Sequence, residues 1–494
     1  MDALARLERL PLGRPHYRLL LLLGFGWALD AMDVGLISFT LPALSRDFGL
    51  DPVGAGLLGS VGLLGMLFGA LLGGRLADRF GRKAVVGYSL FLAGLGSLLT
   101  ALAPSLSWVF LFRFLTGLGL GAELPVAASL MGEFSPKAHR GRMVVLLEAF
   151  WAVGWLLAAL VGYLLVPSLG WRAAFLAGAL PALYAAYLRL SLPESPRWLV
   201  ARGRAAEAEA LVASWERAFP GPLPEPRPEP APRPLPYGAL FRPPLLRRTL
   251  FLALAWFALN AGYYGAFIWL PSLLVAQGYT LVRSLEYVLL ITLAQVPGYL
   301  VAAFLVERWG RRPVLVGFLG LSALFAWLLS QAASPGEVLL FGALLAFFNL
   351  GAWGAIYAYT PELFPTALRG SGAGFVAAVG RVGGILAPYA TGALLPLWGP
   401  GGVLALHGGL LLLAGVFAFA AGVETPAKPL EEAGGWPSPS RPPTRGAGRG
   451  CRRTSRSSSA SGSTGRAPSP WSPPRTPWGC SGCTSFPPRW STPR

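Results

Sequence analysis

The chain has 494 residues, of which 54% are hydrophobic and 13% are charged, and its mean hydropathy is +0.54. Soluble domains carry about a quarter charged residues, so this composition excludes an ordinary soluble protein and indicates a membrane protein. The net charge of +18 does not indicate nucleic-acid binding, because residues 433–494, with ten Arg and no Asp or Glu, supply +10 of it.

Twelve apolar runs follow one another along the chain. A bilayer core of about 30 Å requires about 20 apolar residues in each helix, and the backbone of each helix must be satisfied internally. The sequence therefore predicts an all-α membrane protein with twelve transmembrane helices in two six-helix bundles. The chain continues past its Arg-rich start without a cleavage site, so no removable signal peptide is expected. The predicted spans 1 to 12 lie near residues 18–43, 53–77, 84–103, 107–131, 142–166, 171–192, 249–276, 284–306, 313–332, 336–360, 370–395 and 401–422.

The basic residues of the loops predict the orientation. One set of loops contains only Arg46, Arg172 and Arg283. The opposite set is much richer in positive charge, which places it and both termini in the cytoplasm. We expect a monomeric, multi-pass protein of the cell inner (plasma) membrane. The basic residues of that set are Arg75, Arg79, Arg82, Lys83, Lys137, Arg140, Arg142, Arg308, Arg311, Arg312 and Arg369.

Composition predicts four regions: an N-terminal bundle (1–193), a cytoplasmic linker (194–248), a C-terminal bundle (249–432) and a tail (433–494). The linker holds an amphipathic stretch at 205–217 and a Pro-rich run at 220–236, which cannot be helical. The tail lacks Leu, Ile, Val, Lys, Asp and Glu, so it cannot bury a core and is predicted to be disordered. We hypothesise that it is a frameshift product; a solvated basic tail that touches anionic lipid is the alternative.

The three cysteines, Cys451, Cys480 and Cys483, all lie in the tail. Their spacing is a weak metal or redox signal without a second pair. The three histidines have no ligand-like spacing. No metal site, cofactor, phosphate loop or nucleophile triad is predicted, and an enzyme is not expected.

A ten-residue charged turn occurs twice, about half a chain apart. The shared pattern is an acid, a base, any residue, a glycine and two bases, between two long apolar runs. Each copy therefore predicts a tight hairpin between two membrane helices, and the repetition predicts two similar halves. The copies are Gly74-Arg75-Leu76-Ala77-Asp78-Arg79-Phe80-Gly81-Arg82-Lys83 and Ala303-Phe304-Leu305-Val306-Glu307-Arg308-Trp309-Gly310-Arg311-Arg312.

The doubled turn and the two halves resemble the major facilitator superfamily over roughly residues 15–430. The segments 193–199 and 361–365 are similar to motifs of sugar-porter-like members. Residues 424–432 resemble the end motif of these carriers, which predicts a true terminus near Glu432. Other segments, 29–35, 121–126 and 263–271, are similar to the niacin and aromatic-acid:proton symporters. The glutamines that sugar porters place in helices 5 and 7 are missing here.

The resemblance implies that the doubled turn is a cytoplasmic gate that clamps the inner helix ends in the outward-open state. A solvated loop that only sets topology is the alternative. The second copy departs from the pattern at Ala303 and Glu307, so the first copy is expected to carry more of the conformational bias. The expected gating residues are Gly74, Asp78, Arg79, Gly81, Arg82, Glu133, Arg140, Glu307, Arg308, Gly310, Arg311, Glu362 and Arg369.

Four charges inside the apolar spans are candidates for proton coupling: Asp30, Asp33, Arg113 and Glu123. Counted along the helices, Asp33 and Arg113 lie at similar depths, roughly 22 and 27 Å from the inner surface. The resemblance implies that this pair couples proton binding to movement, and a static buried ion pair is the alternative. Glu123 is equally compatible with a second proton site and with a hydrogen bond to a neighbouring helix.

Arg381 lies about 16 Å up span 11, close to the midplane, where a guanidinium requires an anion. That anion is either the substrate's carboxylate or a protein carboxylate such as Asp30 or Glu123. Aromatic and amide side chains of neighbouring spans suit a small aromatic ring with a polar handle, although core packing is an alternative for each. These candidates are Trp151, Trp155, Asn260, Tyr263, Tyr264, Gln295, Asn349, Trp353 and Tyr357.

The sequence thus predicts a carrier that takes up a small organic anion, an aromatic or heteroaromatic carboxylate such as nicotinate, together with protons. The mechanism expected is alternating access around a midplane site. Two alternatives remain open: a sugar or polyol:proton symporter, and a non-transporting sensor of the same fold. Substrate, protons and the lipid bilayer are the expected partners.

Overall fold

The computed structural model describes residues 3–136, 139–223, 225, 235–365 and 368–422, with the side chains of Leu124 and Glu307 excepted. Within these residues the protein consists of α-helices joined by short turns, and it contains no strand. The loop residue Lys137, the 424–432 motif and the tail with its cysteines lie outside the described residues.

The first half contains eight helices. A short N-terminal helix is followed by five long helices, and two shorter helices together fill predicted span 6. Their bounds are α1 Ala3–Glu8, α2 Arg14–Phe48, α3 Pro52–Phe80, α4 Arg82–Leu102, α5 Leu106–Phe134, α6 Arg140–Leu169, α7 Trp171–Ala177 and α8 Leu180–Ser191.

Two short helices of the linker precede the second half, in which a pair of helices fills predicted span 8. The linker helices are α9 Pro196–Ala201 and α10 Ala205–Glu216, followed by a 3-10 turn at Tyr237–Phe241. The second half comprises α11 Leu246–Ala276, α12 Leu281–Leu293, α13 Gln295–Trp309, α14 Arg311–Ser330, α15 Pro335–Tyr359 with a 3-10 turn at Thr360–Leu363, and α16 Arg369–Ala421.

Helix α16 combines predicted spans 11 and 12 in 53 residues. At 1.5 Å per residue it would be about 80 Å long if straight, which exceeds one bilayer crossing. Its backbone leaves helical geometry at Gly399, with φ 68° and ψ 175°, a conformation that glycine adopts without a steric penalty. Eleven helical segments of the described chain are long and apolar enough to cross a membrane. The two legs of α16 therefore complete the predicted twelve crossings.

The two copies of the charged turn have the same backbone geometry. Gly81 ends α3 and begins α4 with φ 101° and ψ 154°, and Gly310 does the same between α13 and α14 with φ 93° and ψ 164°. Both values lie where side chains other than glycine are strained. We call the end of the protein that carries these turns the basic end, and the opposite end the far end.

Glycines let the helices of each half approach closely. A Cβ built at Gly121 of α5 would lie 2.0 Å from the Met66 carbonyl oxygen of α3, and one at Gly383 of α16 would lie 2.4 Å from the Phe257 carbonyl oxygen of α11. Gly74 differs, because a Cβ there would meet nothing described within 4 Å. No described helix therefore packs closely against Gly74.

The two halves meet at the far end. The Ser60 hydroxyl of α3 donates a hydrogen bond to the Ile385 carbonyl of α16 at 2.6 Å, and the Ser38 hydroxyl of α2 donates to Phe267 of α11 at 2.6 Å. A Cβ at Gly392 of α16 would lie 2.1 Å from the Pro52 carbonyl oxygen of α3. These contacts close the far end of the space between the halves.

The N-terminal helix and the linker pack together at the basic end. Glu216, the last residue of α10, forms ion pairs with two arginines: Arg6 of α1 and Arg9 in the turn that follows α1. Glu8 forms ion pairs with Arg140 of α6 at 3.2 Å and with Arg197 of α9 at 3.0 Å. The N-terminal segment thus ties the linker to the first bundle.

Candidate functional site

A cavity lies between the two halves, and the atom-free space within it is about 710 Å³ with open solvent included. Helices α2, α3 and α6 of the first half and α11, α13, α15 and α16 of the second contribute to its wall. The lining residues are Trp27, Leu63, Met66, Glu148, Trp151, Trp256, Asn260, Tyr264, Tyr299, Leu350, Trp353, Tyr357, Ala377, Arg381 and Gly384.

Six of the ten predicted substrate contacts line this cavity: Trp151, Asn260, Tyr264, Trp353, Tyr357 and Arg381. Their rings form a connected set, with the Trp256 centroid 5.0 Å from Tyr357 and 5.8 Å from Trp353, both edge-on. The amide of Asn260 is held by a hydrogen bond to the Trp256 carbonyl at 2.8 Å. The cavity therefore combines an aromatic wall with a few fixed polar groups.

The other four candidates lie behind the wall. Tyr263 is fully buried, accepts a hydrogen bond from Trp151 Nε1 at 3.4 Å, and packs on Trp155 at 5.7 Å between ring centroids. Gln295 and Asn349 are also fully buried. Adjacent helical positions point about 100° apart, so Tyr264 faces the cavity while Tyr263 supports it from behind.

Arg381 is contributed by α16, and its side chain enters the cavity. No carboxylate of the described chain forms an ion pair with it. The protein partners considered from the sequence, Asp30 and Glu123, lie elsewhere and face each other instead. The acidic group that does face Arg381 is Glu148 of α6.

Glu148 was not among the predicted site residues. It is 5% exposed, lines the cavity, and sits eight residues into α6, about 12 Å from the start of the helix. The sequence did contain a signal, because a glutamate within the apolar run that forms span 5 is an intramembrane charge of the kind that requires a functional reason.

Asp33 and Arg113 form a buried ion pair in the first bundle. The Arg113 Nη1 atom lies 2.8 Å from Asp33 Oδ1, and Nη2 donates to the Asp33 carbonyl at 3.1 Å. Ser97 donates to the same carboxylate at 3.2 Å, and the Arg113 guanidinium stacks over the Phe175 ring at 5.0 Å. The second carboxylate oxygen of Asp33 has no hydrogen-bond partner within the described residues.

Asp30 and Glu123 form a second buried group. The two carboxyl groups lie within hydrogen-bonding reach of each other, and Glu123 Oε1 also lies against Gly26, one turn before Asp30 on α2. None of their four oxygens receives a hydrogen bond from a donor in the part of the chain that is described. Two carboxylates in contact cannot both be ionised at low cost, so a proton between them satisfies this geometry.

The first copy of the charged turn forms a network with the linker. Arg82 pairs with Asp78 at 3.0 Å and with Glu133 at 3.5 Å, and Ser195 donates to Glu133. The carboxylate of Glu194 accepts hydrogen bonds from the backbone N–H groups of Arg82 at 2.9 Å and of the following residue at 3.3 Å. These contacts join the start of the linker to the turn.

Arg140 is tied to the N-terminal helix. Its Nε donates to the Gly132 carbonyl at 2.7 Å, and its guanidinium pairs with Glu8 of α1. Its expected role in the gate remains a prediction. Arg79 lies over the ring of its neighbour Phe80, at 5.3 Å from the ring centroid.

The second copy has the corresponding pair, with Arg311 and Glu362 at 2.8 Å. Arg369 lies near Glu362. Arg308 is exposed, and the side chain of Glu307 lies outside the described residues. A comparison of clamp strength between the two copies therefore remains a prediction.

Comparison with known proteins identifies the family. A model described as "sugar (and other) transporter" matches residues 31–434. The chain belongs to this family of the major facilitator superfamily. The niacin transporter NiaP of Acinetobacter baylyi is 47% identical over 391 residues, which cover 78% of this chain and 89% of that protein. An inner membrane metabolite transport protein, YdjE of Escherichia coli, is 30% identical, covering 87% and 97% of the two chains.

Among solved structures, the xylose transporter XylE from E. coli, in a partially occluded inward-open conformation, aligns with a TM-score of 0.68. The alignment covers 84% of this chain and 99% of XylE at 20% identity, which supports the fold. The predictions of a major facilitator fold and a multi-pass membrane transporter, rather than an enzyme, are confirmed.

Proposed function

We propose that this transporter takes up a small aromatic or heteroaromatic carboxylate, such as nicotinate, together with protons across the plasma membrane. One observation carries the proposal: Arg381 enters an aromatic-lined cavity and forms no ion pair with a carboxylate of the described chain. A substrate carboxylate supplies the missing anion and can accept two parallel hydrogen bonds from the guanidinium. The niacin transporter that is 47% identical supports the same substrate class.

The aromatic wall accounts for the rest of the substrate. Trp256 meets Trp353 and Tyr357 edge-on, while Trp353 and Tyr357 are tilted by 31° at 5.9 Å. Aromatic pairs favour offset and edge-on geometries, so a flat six-membered ring fits against these side chains more readily than a puckered, hydroxyl-rich sugar. Asn260 is the only carboxamide among the described lining residues, which leaves few groups to bind sugar hydroxyls.

The proton enters the proposal through the pair Asp33 and Arg113. Arginine does not deprotonate in proteins, so only Asp33 can exchange a proton for its ion pair. The carboxylate oxygen of Asp33 that has no partner within the described residues is a site for that proton. Asp30 and Glu123 offer a second site in the same bundle.

The placement of contacts between the two halves supports alternating access. By the positive-inside rule the basic end faces the cytoplasm, and the far end, closed here by α3 and α16, faces outward. The midplane cavity between two rigid halves is the arrangement of carriers that rock around a fixed site. The turns at Gly81 and Gly310 then lie at the cytoplasmic gate.

The test is a binding screen of the purified transporter by intrinsic fluorescence, because four tryptophans line the cavity. Nicotinate and benzoate are expected to give saturable, mutually competitive responses, and xylose none. A saturable response to xylose without one to the carboxylates would replace the proposal with a sugar symporter. Carboxylate binding without flux in proteoliposomes would instead indicate a sensor.

A further inference from the structure

Glu148 is the one acidic side chain of the described cavity wall, and α6 of the first half contributes it. Arg381 faces it from α16. Three tyrosines from three other helices of the second half line the same cavity and lie close enough for the charge of Glu148 to act on them: Tyr264 of α11, Tyr299 of α13 and Tyr357 of α15. No cation other than Arg381 lines the cavity in the described chain.

The described residues of the empty cavity therefore carry one carboxylate and one guanidinium, with a net charge of zero when both are ionised. Glu148 and Arg381 share the cavity without forming an ion pair in the described structure, so Arg381 is free to bind a second anion. A substrate carboxylate on Arg381 would leave two negative charges and one positive charge in a largely buried space. Neighbouring carboxylates in such a space favour the state in which one of them is protonated.

We propose that Glu148 takes up one proton when a carboxylate substrate binds to Arg381, so that substrate and proton enter the cavity together. The inference rests on the proposed function, in which Arg381 binds the substrate anion. The proton comes from a buffer acid or a hydronium ion of the solvent, whose bond to hydrogen breaks and which is left as its conjugate base, and an O–H bond forms on the Glu148 carboxylate. The cavity then carries the same net charge, zero, before and after loading.

The surrounding tyrosines suit both states of Glu148. A tyrosine hydroxyl can donate a hydrogen bond to a carboxylate or accept one from a protonated carboxyl group. The Tyr299 hydroxyl has no hydrogen-bond partner within the described residues, although Tyr299 is only 4% exposed, so it can serve this purpose.

Glu148 and Asp33 then have separate roles. Asp33 lies in the interior of the first bundle, paired with Arg113, and does not line the cavity. Protonation of Glu148 is linked to substrate binding. The protonation state of Asp33, paired with Arg113, instead governs whether the loaded or empty transporter changes conformation. Net accumulation requires both.

The test is calorimetric titration of the purified transporter with nicotinate between pH 6 and 8, in buffers with different ionisation enthalpies. The wild type is expected to take up one proton per nicotinate, with affinity falling about tenfold per pH unit where Glu148 is ionised in the empty form. Nicotinamide, which carries no charge, is the ligand control and should bind without proton uptake.

Glu148→Gln is expected to bind nicotinate with no proton uptake and with pH-independent affinity, whereas Glu286→Gln, a surface control near the far end, behaves as the wild type. Asp33→Asn should retain the proton uptake. Wild-type binding of nicotinate without proton uptake would overturn the proposal while leaving the substrate assignment intact. Proton uptake on nicotinate binding that persists in Glu148→Gln and disappears in Asp33→Asn would also overturn the proposal, because it would place the proton on Asp33.

Complete absence of nicotinate binding in the wild type would contradict the proposed function and this inference together. The wild-type proton count needs no variant, so the test stands even if Glu148→Gln fails to fold. Glu148→Ala, which replaces the carboxylate by a small apolar side chain, provides a second variant with the same expected loss of proton uptake.

Discussion

At the scale of single residues, the proposed function rests on Arg381, the one guanidinium among the described residues of the aromatic-lined cavity. In that proposal, replacing Arg381 by glutamine removes a charge-assisted, bidentate contact with the substrate. We expect Arg381→Gln to weaken nicotinate binding by about 10- to 100-fold, the equivalent of about 1.5–3 kcal/mol for a hydrogen bond to a charged group. The nicotinate affinity of Arg381→Lys should lie between those of the wild type and Arg381→Gln, because lysine keeps the positive charge without the planar guanidinium group.

The measurement is the dissociation constant from tryptophan quenching, together with protein yield and thermal stability for each variant. Nicotinamide provides the ligand control, since its affinity does not depend on a carboxylate. Unchanged nicotinate affinity in Arg381→Gln would show that the anion binds elsewhere. A parallel loss of yield and affinity would show a structural role.

The sequence identified some site residues better than others, for physical reasons. Asp33 and Arg113 were found because charges within apolar runs are costly, and the structure brings them together. The same rule applies to Glu148, but the groups facing it come from four other helices, and their convergence leaves no spacing pattern in the chain. Tyr263 and Tyr264 are adjacent, so composition cannot tell which one faces the cavity.

At the scale of helices, the crossing of α3 and α16 holds the far end closed. A Cβ at Gly392 would lie 2.1 Å from the backbone oxygen of Pro52, and backbone cannot move aside as a flexible side chain can. Overpacking of this kind costs about 1–3 kcal/mol. We therefore expect Gly392→Ala to shift the transporter towards a conformation with an open far end, by about tenfold or more.

The shift can be measured as the distance between spin labels at Arg46 and Trp398, two exposed residues near the far end, after replacement of the native cysteines. Gly374→Ala is the matched control on the same helix, because a Cβ there meets nothing within 4 Å. Identical distance distributions for Gly392→Ala and the wild type would show that this crossing does not hold the far end closed.

The contact between α1 and α10 gives a prediction for acid pH. The hydrogen bond from Arg6, the nearby Arg9 and the charges of both hold the pKa of Glu216 below its ordinary value of about 4.5. A lowered folded-state pKa means that the stabilisation is fully present above about pH 4.5 and is lost as the pH falls through that lower value. We expect α1 to stay on α10 at neutral pH and to separate only in acid.

Fluorescence energy transfer between labels on α1 and α10 provides the readout. Glu216→Gln should separate the helices partly at all pH values and remove the acid transition. Glu207→Gln, an exposed change on the same helix at a residue that pairs with Arg204, should leave it in place. Separation of the wild-type helices on raising the pH from 5 to 8 would contradict the sign of this prediction.

Helix lengths followed closely from the sequence, because the bilayer imposes a minimum apolar length. The predicted amphipathic segment 205–217 corresponds to α10, Ala205–Glu216. The short helix α1 was missed, since six residues carry too little periodicity to be recognised, and its stability comes from contacts with the linker. The expected break between spans 11 and 12 appears as one backbone reversal at Gly399 rather than as a loop.

At the scale of the whole molecule, the doubled turn correctly predicted two similar halves, and its glycines share one backbone conformation. The sequence could not predict which end of the inter-half space is closed, because both states of a carrier are encoded by the same chain. The far-end contacts of Ser60 and Gly392 are visible only in the folded protein. The motif likewise contains no information on the ion pair between Arg140 and Glu8 of the N-terminal helix.

The central claim is proton-coupled uptake of a carboxylate, and accumulation of labelled nicotinate in proteoliposomes under an imposed pH gradient tests it most directly. The wild type and the exposed control Asp51→Asn should accumulate nicotinate above the external concentration and lose that ability when a protonophore is added. Asp33→Asn should exchange nicotinate in counterflow without accumulating it, because asparagine cannot release the proton. Accumulation that is insensitive to the protonophore, or that survives in Asp33→Asn, would contradict the account.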